Sequence, residues 1–463
     1  MLARDAAYAL GLAATAPVWG ASLLSTGKWR TDWAGRFGRT RRGPSGDSAG
    51  DGGGPRVLFC AVSVGEVNAL RGLVDALLAG DPPCRVDLAV TTNTGVARAE
   101  QLFTDRCRVS RYPLDFSGAV GRFLDAAAPD LVATVELELW PNFVAACGRR
   151  GVPVAVVNGR LSERSFRRYR LVKPLIRSTF AAVSAAGVQT DAYADRFAAL
   201  GTPRERIRVL DTMKWDNAVV RPRAEVLGAA GLAEELGVDR SRPLVVAGST
   251  GPGEPEFLLA DRPRDAQLLL APRKPEHFEA AARACAAADP GFARRSAGTR
   301  GPAEVYLLDT IGELGRAYVL ADVAVVGRSF LGDLHGSDAM EPAALGVPTV
   351  IGPHHADFAE SVAVMRDAGG LIVTDDPMAA ARELLDNGKL AAEVGAAGQA
   401  VILEHQGATG RHAAMLREVL GLEGETRTSS ASLNHGVRGE RREHGADKAD
   451  KADKAGRGEE GKR

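Results

Sequence analysis

Carboxylates that directly follow apolar runs are the residues of this chain best placed to do chemistry. Glu66 closes the stretch "AVSVGE" (61–66), between the apolar "RVLFC" and the helix-like "VNALRGLVDALL". From a loop facing a cleft, such a carboxylate could reach a substrate proton as a general base. It could equally cap the helix, where unpaired N–H groups and the helix dipole favour negative charge. Ser63 could share the capping role. A base held at a helix N-terminus is expected to have a lowered pKa and to stay ionised at neutral pH.

Further candidates sit in comparable places. "VELELWPN" (135–142) carries Glu136 and Glu138 two apart, which an extended chain points to one side. Two carboxylates on one side of a buried sheet need cationic partners or a function. "VNGRLSERSFRRYR" (157–170) supplies Asn158, Arg160, Arg164, Arg167, Arg168 and Arg170. That run reads as a solvated helix face or, beside a cleft, as guanidinium forks suited to phosphate. Lys214, in "DTMKWDN" (211–217), could point a cation into the same cleft.

A second set follows. "GSTGPGE" (248–254), with Ser249 and Thr250, is a Gly-rich turn suited to backbone N–H contacts with an anion. It lacks the Gly-Lys-Ser/Thr ending of a Walker loop. "LAPRKPEHF" (270–278) places Pro272 and Arg273 after an apolar run, and "DTIGELGRAY" (309–318) places Ile311, Gly312 and Glu313 at a turn. In "HGSDAMEPAALGVPTVIG" (335–352), Asp338, Ala339, Met340 and Glu341 lead into a short helix that Gly346 ends. Glu341 at that helix start could hold sugar hydroxyls or cap the helix.

The elements that must position these residues are legible as alternation. Strand candidates are 56–62, 85–92, 131–136, 152–158 and 206–210, then 243–249, 267–272, 304–309, 322–327, 348–352 and 371–374. Near-continuous apolar strands separated by helical patterns imply parallel sheets covered on both faces. The polar stretch 216–242 divides them into two doubly wound, Rossmann-like α/β domains, 55–217 and 218–424. Ligands are expected outside the carboxyl ends of the strands and between the domains.

The ends differ in composition. Residues 6–24 are uncharged and followed by Lys28, Arg30, Arg36, Arg39, Arg41 and Arg42. Segment 1–42 therefore reads as a membrane anchor or interfacial helix with a basic flank, its competitors being a signal peptide and an ordinary helix. Residues 43–54 read as a Gly-rich linker, and 425–463, with repeated "ADK", as a disordered charged tail. Formal net charge is zero over 463 residues, so no global field selects nucleic acid as a partner. The five cysteines form no CxxC pair, which argues against a disulfide framework, and no metal-ligand spacing is evident.

The motifs in series, "SVGE", "ELELWPN", "VNGRLSERS", "MKWD", "STGPGE", "PRKPEHF", "DTIGELGRAY", "DVAVVGRS", "EPAALGVP" and "GPHHADF", resemble the 3-deoxy-D-manno-octulosonic acid (Kdo) transferases over roughly residues 55–360. The resemblance implies a two-domain GT-B glycosyltransferase with CMP-Kdo as donor and a lipid A precursor as acceptor. It implies work at the cytoplasmic face of the inner membrane, in lipopolysaccharide biosynthesis, with inversion and without a metal. Glu66 matches the catalytic base, while Glu136 and Lys214 match transition-state stabilisers. Pro272, Arg273, Ile311, Gly312, Glu313 and Asp338 through Glu341 match the CMP-binding segments, and the Gly-rich turn with Ser249 and Thr250 lies among them. Ser63, Glu138, Asn158 and Arg160 remain candidates for the acceptor side.

Three departures from the family pattern stand out: Gly251 stands for His, Ile311 for Met, and "HGSD" (335–338) for Gly-Gly-His-Asn. Asp338 brings negative charge toward an anionic donor and is expected to need compensation from His335 or Arg328. A transferase using another nucleotide sugar, or a non-catalytic sugar- or lipid-binding relative, would keep the same fold.

Overall fold

The computed structural model describes residues 5, 6, 8–10, 15, 31–40, 54–298, 301–332 and 334–422. Most of the expected anchor, nearly all of the linker and the whole charged tail lie outside them. Among the described residues, no helix is long and apolar enough to cross a membrane.

Two seven-stranded sheets carry the fold, and every strand pairing in them is parallel. The first comprises β1 (Arg56–Ala61), β2 (Arg85–Val90), β3 (Arg108–Arg111), β4 (Leu131–Val135), β5 (Val154–Gly159), β6 (Ala185–Val188) and β7 (Ile207–Val209). Its order is β3-β2-β1-β4-β5-β6-β7. The second comprises β8 (Leu244–Thr250), β9 (Gln267–Pro272), β10 (Ala293–Arg294), β11 (Val305–Leu307), β12 (Val323–Val326), β13 (Thr349–Ile351) and β14 (Ile372–Val373). Its order is β10-β11-β9-β8-β12-β13-β14. Both orders reverse at the strand that comes first in sequence, between β1 and β4 and between β8 and β12. Those are the crevices where a doubly wound sheet opens for ligand.

The central strands are apolar on both faces because helices cover both. Val57, Phe59 and Ala61 pack into one cluster and Leu58 and Cys60 into another on the opposite side of β1. β8 divides the same way, Val245 and Ala247 against Leu244 and Val246. This is the GT-B arrangement of two Rossmann-like sheets.

Three strands escape the apolar pattern. β3 is a polar edge strand, β10 has two residues, and β6 is "AAGV", whose two alanines and glycine have weak strand preference. Packing explains β6. A Cβ on Gly187 would lie 2.5 Å from Cε1 of His412, so the strand needs a residue that lets a helix approach this closely. That helix, Ala408–Val419, follows the second sheet in sequence but buries Ala408, Ala413, Met415 and Leu416 in the first sheet's core. A contiguous unit 218–424 therefore does not describe the end of the chain. Asp216 fixes the return by accepting from the N–H groups of Gly407 and Thr409, both at 2.6 Å. Asp211 is bonded to His405 Nδ1 at 2.6 Å, and the His405 ring stacks on Trp215.

Candidate active site

Glu66 lies where β1 gives way to the helix Val64–Ala69. Ser63 caps that helix, its Oγ accepting from Glu66 N, while the Glu66 carboxylate accepts from Val62 N–H at 2.8 Å and Ser63 Oγ–H at 2.9 Å. The S-x-x-E spacing thus forms a variant of the capping box. Capping and reactivity are not alternatives here, because the expected lowering of the pKa does not occur. Burial pushes the Glu66 carboxyl up to about 7, the two hydrogen bonds oppose the rise, and Glu136 and Glu138 add to it. Desolvation outweighs the helix terminus in a crevice shared by three carboxyls.

Glu136 comes from the end of β4, on the other side of the first sheet's switch point. It adopts φ 57°, so the chain turns there, and strand alternation is not what gathers the two glutamates. Burial raises its pKa, while Arg160 and Lys214 act in the opposite direction. Glu138 is raised by burial too, against a 2.8 Å bond from Trp140 Nε1, and Glu136 raises it further. Three carboxyls thus converge at the carboxyl ends of β1 and β4, with Arg160 and Lys214 as the cations that act on Glu136.

Asn158 supports this arrangement from beneath. It is buried, has φ 53°, and its Oδ1 accepts from Met213 N–H at 3.2 Å, next to Lys214. Arg160 is shared. It faces Glu136 and lies 3.8 Å from Glu360, a second-domain carboxylate that also accepts from Tyr193 Oη. Glu360 is a residue the sequence reading missed. It is one carboxylate in the ordinary helix "AESVAVMRD", and only the fold brings it to the ends of β5 and β6.

On the second sheet, Arg273 follows β9 and is exposed. Its charge acts on Asp338 and Glu341. The Asp338 carboxyl accepts from Met340 N–H at 2.9 Å, and burial raises its pKa against Lys214 and Arg273. Those two cations supply the expected compensation, not His335 or Arg328. The Arg328 guanidinium is turned onto the Leu334 carbonyl. Glu341 lies against Gly315, and loss of hydration, then Asp338, raises its pKa. Ala339 and Met340 are buried beneath this pair. Lys214 is thus the cation that acts on carboxyls of both domains, Glu136 and Asp338.

Two other segments have carboxylate contacts of their own. In the Gly-rich turn, the Gly251 N–H is taken by the chain's own Glu254. Glu254, fully buried, accepts from Gly251 and Arg328 N–H through Oε2, and from Ser329 and Phe330 N–H through Oε1, at 2.6–3.0 Å. The chain's own carboxylate fills the second sheet's switch point. Ser249 (φ 55°) and Thr250 are buried in the strand leading into it. A Cβ on Gly251 would lie 2.4 Å from Leu334 Cδ1, so no side chain fits there as packed.

Glu313, in turn, is already engaged. It binds Arg295 at 3.0 and 3.1 Å and Thr310, and these bonds hold its pKa below the usual carboxylate range. Beside it, Ile311 is 68% exposed and Gly312 has φ 92°, leaving a surface turn open to a ligand. Pro272 ends β9, buried, immediately before Arg273.

Comparison with known proteins identifies the family and the fold. A family profile described as "3-Deoxy-D-manno-octulosonic-acid transferase (kdotransferase)" matches residues 31–217. A 3-deoxy-D-manno-octulosonic acid transferase of Bordetella pertussis is 33% identical over 441 residues, covering 89% of this chain and 99% of the relative. One from Haemophilus influenzae is 32% identical over 381 residues, covering 79% and 88%. Among solved structures, Anabaena Alr3699/HepE in complex with UDP superposes with TM-score 0.52 at 14% identity, over 79% of this chain and 99% of that one, a likeness of fold alone.

Proposed function

Because the chain belongs to the 3-deoxy-D-manno-octulosonic acid transferase family, a family of glycosyltransferases of lipopolysaccharide biosynthesis, we propose that it moves Kdo from CMP-Kdo to a lipid A precursor, with Glu66 as general base. The observation that carries this reading is the Glu66 carboxyl near pKa 7 at the first sheet's switch point. A general base works best when its pKa lies near the operating pH.

In this reading the acceptor hydroxyl binds over the first sheet and gives its proton to Glu66. Its oxygen forms the new bond to the anomeric carbon while the bond to the CMP phosphate oxygen breaks on the opposite face, which inverts the configuration. Negative charge grows on the departing phosphate, and Lys214 and Arg273 are placed to meet it. These cations make a metal unnecessary, so a chelator is expected to leave the rate unchanged. The N-terminal segment associates with the inner membrane and keeps the catalytic domains on its cytoplasmic face, where the acceptor lies.

Incubation of the purified chain with CMP-Kdo and lipid IVA should release CMP and add the mass of Kdo to the acceptor. Failure to transfer would refute the proposal. Asp338 is the observation that favours a different donor. A panel of nucleotide sugars decides it, since transfer from another sugar alone would replace the CMP-Kdo assignment.

Lys214→Ala is expected to lower kcat by about 10²–10³-fold, the usual effect of removing one preorganised group that stabilises transition-state charge. Because Lys214 would meet charge that develops only at the transition state, KM should change little. A rise in KM with unchanged kcat would assign it to ground-state binding instead.

A further inference from the structure

Arg160 is shared between carboxylates of two domains, and Tyr193 gives that sharing a fixed frame. Tyr193 lies in the first turn of the helix Asp191–Leu200, which Thr190 caps, and its ring belongs to the buried cluster of Phe180 and Phe197. The Arg196 guanidinium sits 5.4 Å over the ring. Arg196 is tied in turn to Leu161 O at 2.7 Å and to Glu163 at 3.1 Å. The Tyr193 hydroxyl therefore has one place in the first domain.

Glu360 comes from the other domain, in the helix Ala359–Asp367 that follows β13. Its side chain is 58% exposed, yet Oε1 accepts from Tyr193 Oη–H at 2.5 Å and lies 3.8 Å from Arg160 Nη2. Burial opposes the charge on Arg160, and the Tyr193 hydroxyl, Glu360 and Glu136 sustain it. Burial also raises the Glu136 carboxyl; Arg160 and Lys214 oppose that rise and Glu360 adds to it. Glu360 thus acts on the first domain's crevice from across the cleft. Tyr193, Arg160 and Glu136 all stand on the first domain, so Glu360 is the member that an opening cleft would carry away. Arg160 would then be left to Glu136. An exposed ion pair adds little to stability, so stability does not account for this cluster.

We propose that Glu360 is a positioning residue for the transfer: through Tyr193 and Arg160 it clasps the second domain onto the first and holds the Arg160 guanidinium in place beside Glu136. The positioning role rests on the proposed reaction, whereas the clasp does not. In that reaction Glu66 and Glu136 stand on one domain and Arg273 on the other, so both must reach one pair of substrates. Closure that brings donor to acceptor also brings the Glu360 carboxylate to Arg160.

The clasp is tested on the full chain without substrate, so its failure is distinct from failure of the transferase assignment. All five native cysteines are buried, so Ala97→Cys and Ala287→Cys, at exposed positions of the two domains, can carry spin labels. Double electron–electron resonance should give one distance in the otherwise native chain. Glu360→Ala should add a longer population. Tyr193→Phe, which keeps the ring beneath Arg196, should add the same one. Glu360→Gln, whose amide oxygen can still accept from Tyr193, should restore most of the short distance. Melting temperatures should stay with wild type.

The positioning role is read from transfer. Glu360→Ala and Tyr193→Phe should each lower kcat/KM by about 10–100-fold, the worth of one hydrogen bond to a charged group expressed as a rate. The double variant should fall no further than either single one, because both break the same contact.

An unchanged distance in both single variants overturns the clasp. A longer population with full kcat/KM overturns the positioning role, and so does a loss of rate that only follows a loss of melting temperature. A raised acceptor KM with distance and kcat unchanged assigns Glu360 to acceptor binding instead.

Discussion

Glu66→Gln is expected to lower the rate of transfer by about 10²–10⁴-fold, the range of a lost general base. The variant should fold normally. The amide oxygen can still accept from Val62 N–H, and its NH₂ can donate to Ser63 Oγ, reversing that bond. Donor binding should survive, since Arg273 and the Asp338–Glu341 pair belong to the other domain. Rate against pH separates a base from a cap. With the folded-state pKa near 7, the wild-type rate should fall about tenfold per pH unit below that value, as the carboxyl takes up its proton. The variant should lose this acid limb. An unchanged rate in Glu66→Gln leaves the residue as a helix cap.

The same shift has a consequence for stability. A carboxyl raised from its ordinary 4.5 to about 7 holds its proton more tightly in the folded chain than in the unfolded one. Its favourable contribution is fully present below 4.5 and is lost as pH rises through 7. Glu66→Gln removes the burden of an ionised, desolvated carboxylate. The variant should therefore melt higher than wild type above pH 7, with the difference fading toward 4.5, as thermal unfolding across that range would show.

How much of this was legible beforehand follows from the range of each interaction. The two parallel sheets could be read because each central strand is apolar on both faces, a property of consecutive residues. β6 could not, because "AAGV" is held in register by its neighbours and by His412, more than two hundred residues away. Glu66 could be located because a sharp change from strand to helix marks it. Its charge state could not, because that depends on Glu136 and Glu138 across the switch point. The adjacent cap was visible and argued for the wrong sign. The likeness in motifs correctly indicated the family. It could not show that Glu254 ties Gly251 of the Gly-rich turn to residues 328–330, since that requires knowing which atoms Glu254 reaches. Glu254 closes a motif that was read for its glycines.

Glu254→Ala is expected to destabilise the second domain by about 4 kcal/mol, the usual cost of removing one side of a buried charged network. Four N–H groups, those of Gly251, Arg328, Ser329 and Phe330, would lose their acceptor at a buried switch point. Each unsatisfied group costs about 1–3 kcal/mol, and relaxation and water entry keep the sum below the simple total. At roughly 2–4 °C per kcal/mol for a domain of this size, the melting temperature of that unit should drop by about 10 °C. Glu254→Gln sharpens the test. One amide oxygen can satisfy one pair of N–H groups, but the NH₂ would face the other pair, donor against donor. Its loss should approach that of Glu254→Ala despite equal volume. If Glu254→Gln melts with wild type, the carboxylate is replaceable by shape and the four bonds are not what joins the β8 and β12 loops. If both variants are destabilised, the carboxylate itself joins the β8 and β12 loops, with the Gly251 N–H of the Gly-rich turn held by it. In the proposed reaction Arg273 and Lys214, which among the described residues have no carboxylate bonded to them, then carry the weight of meeting the donor phosphate.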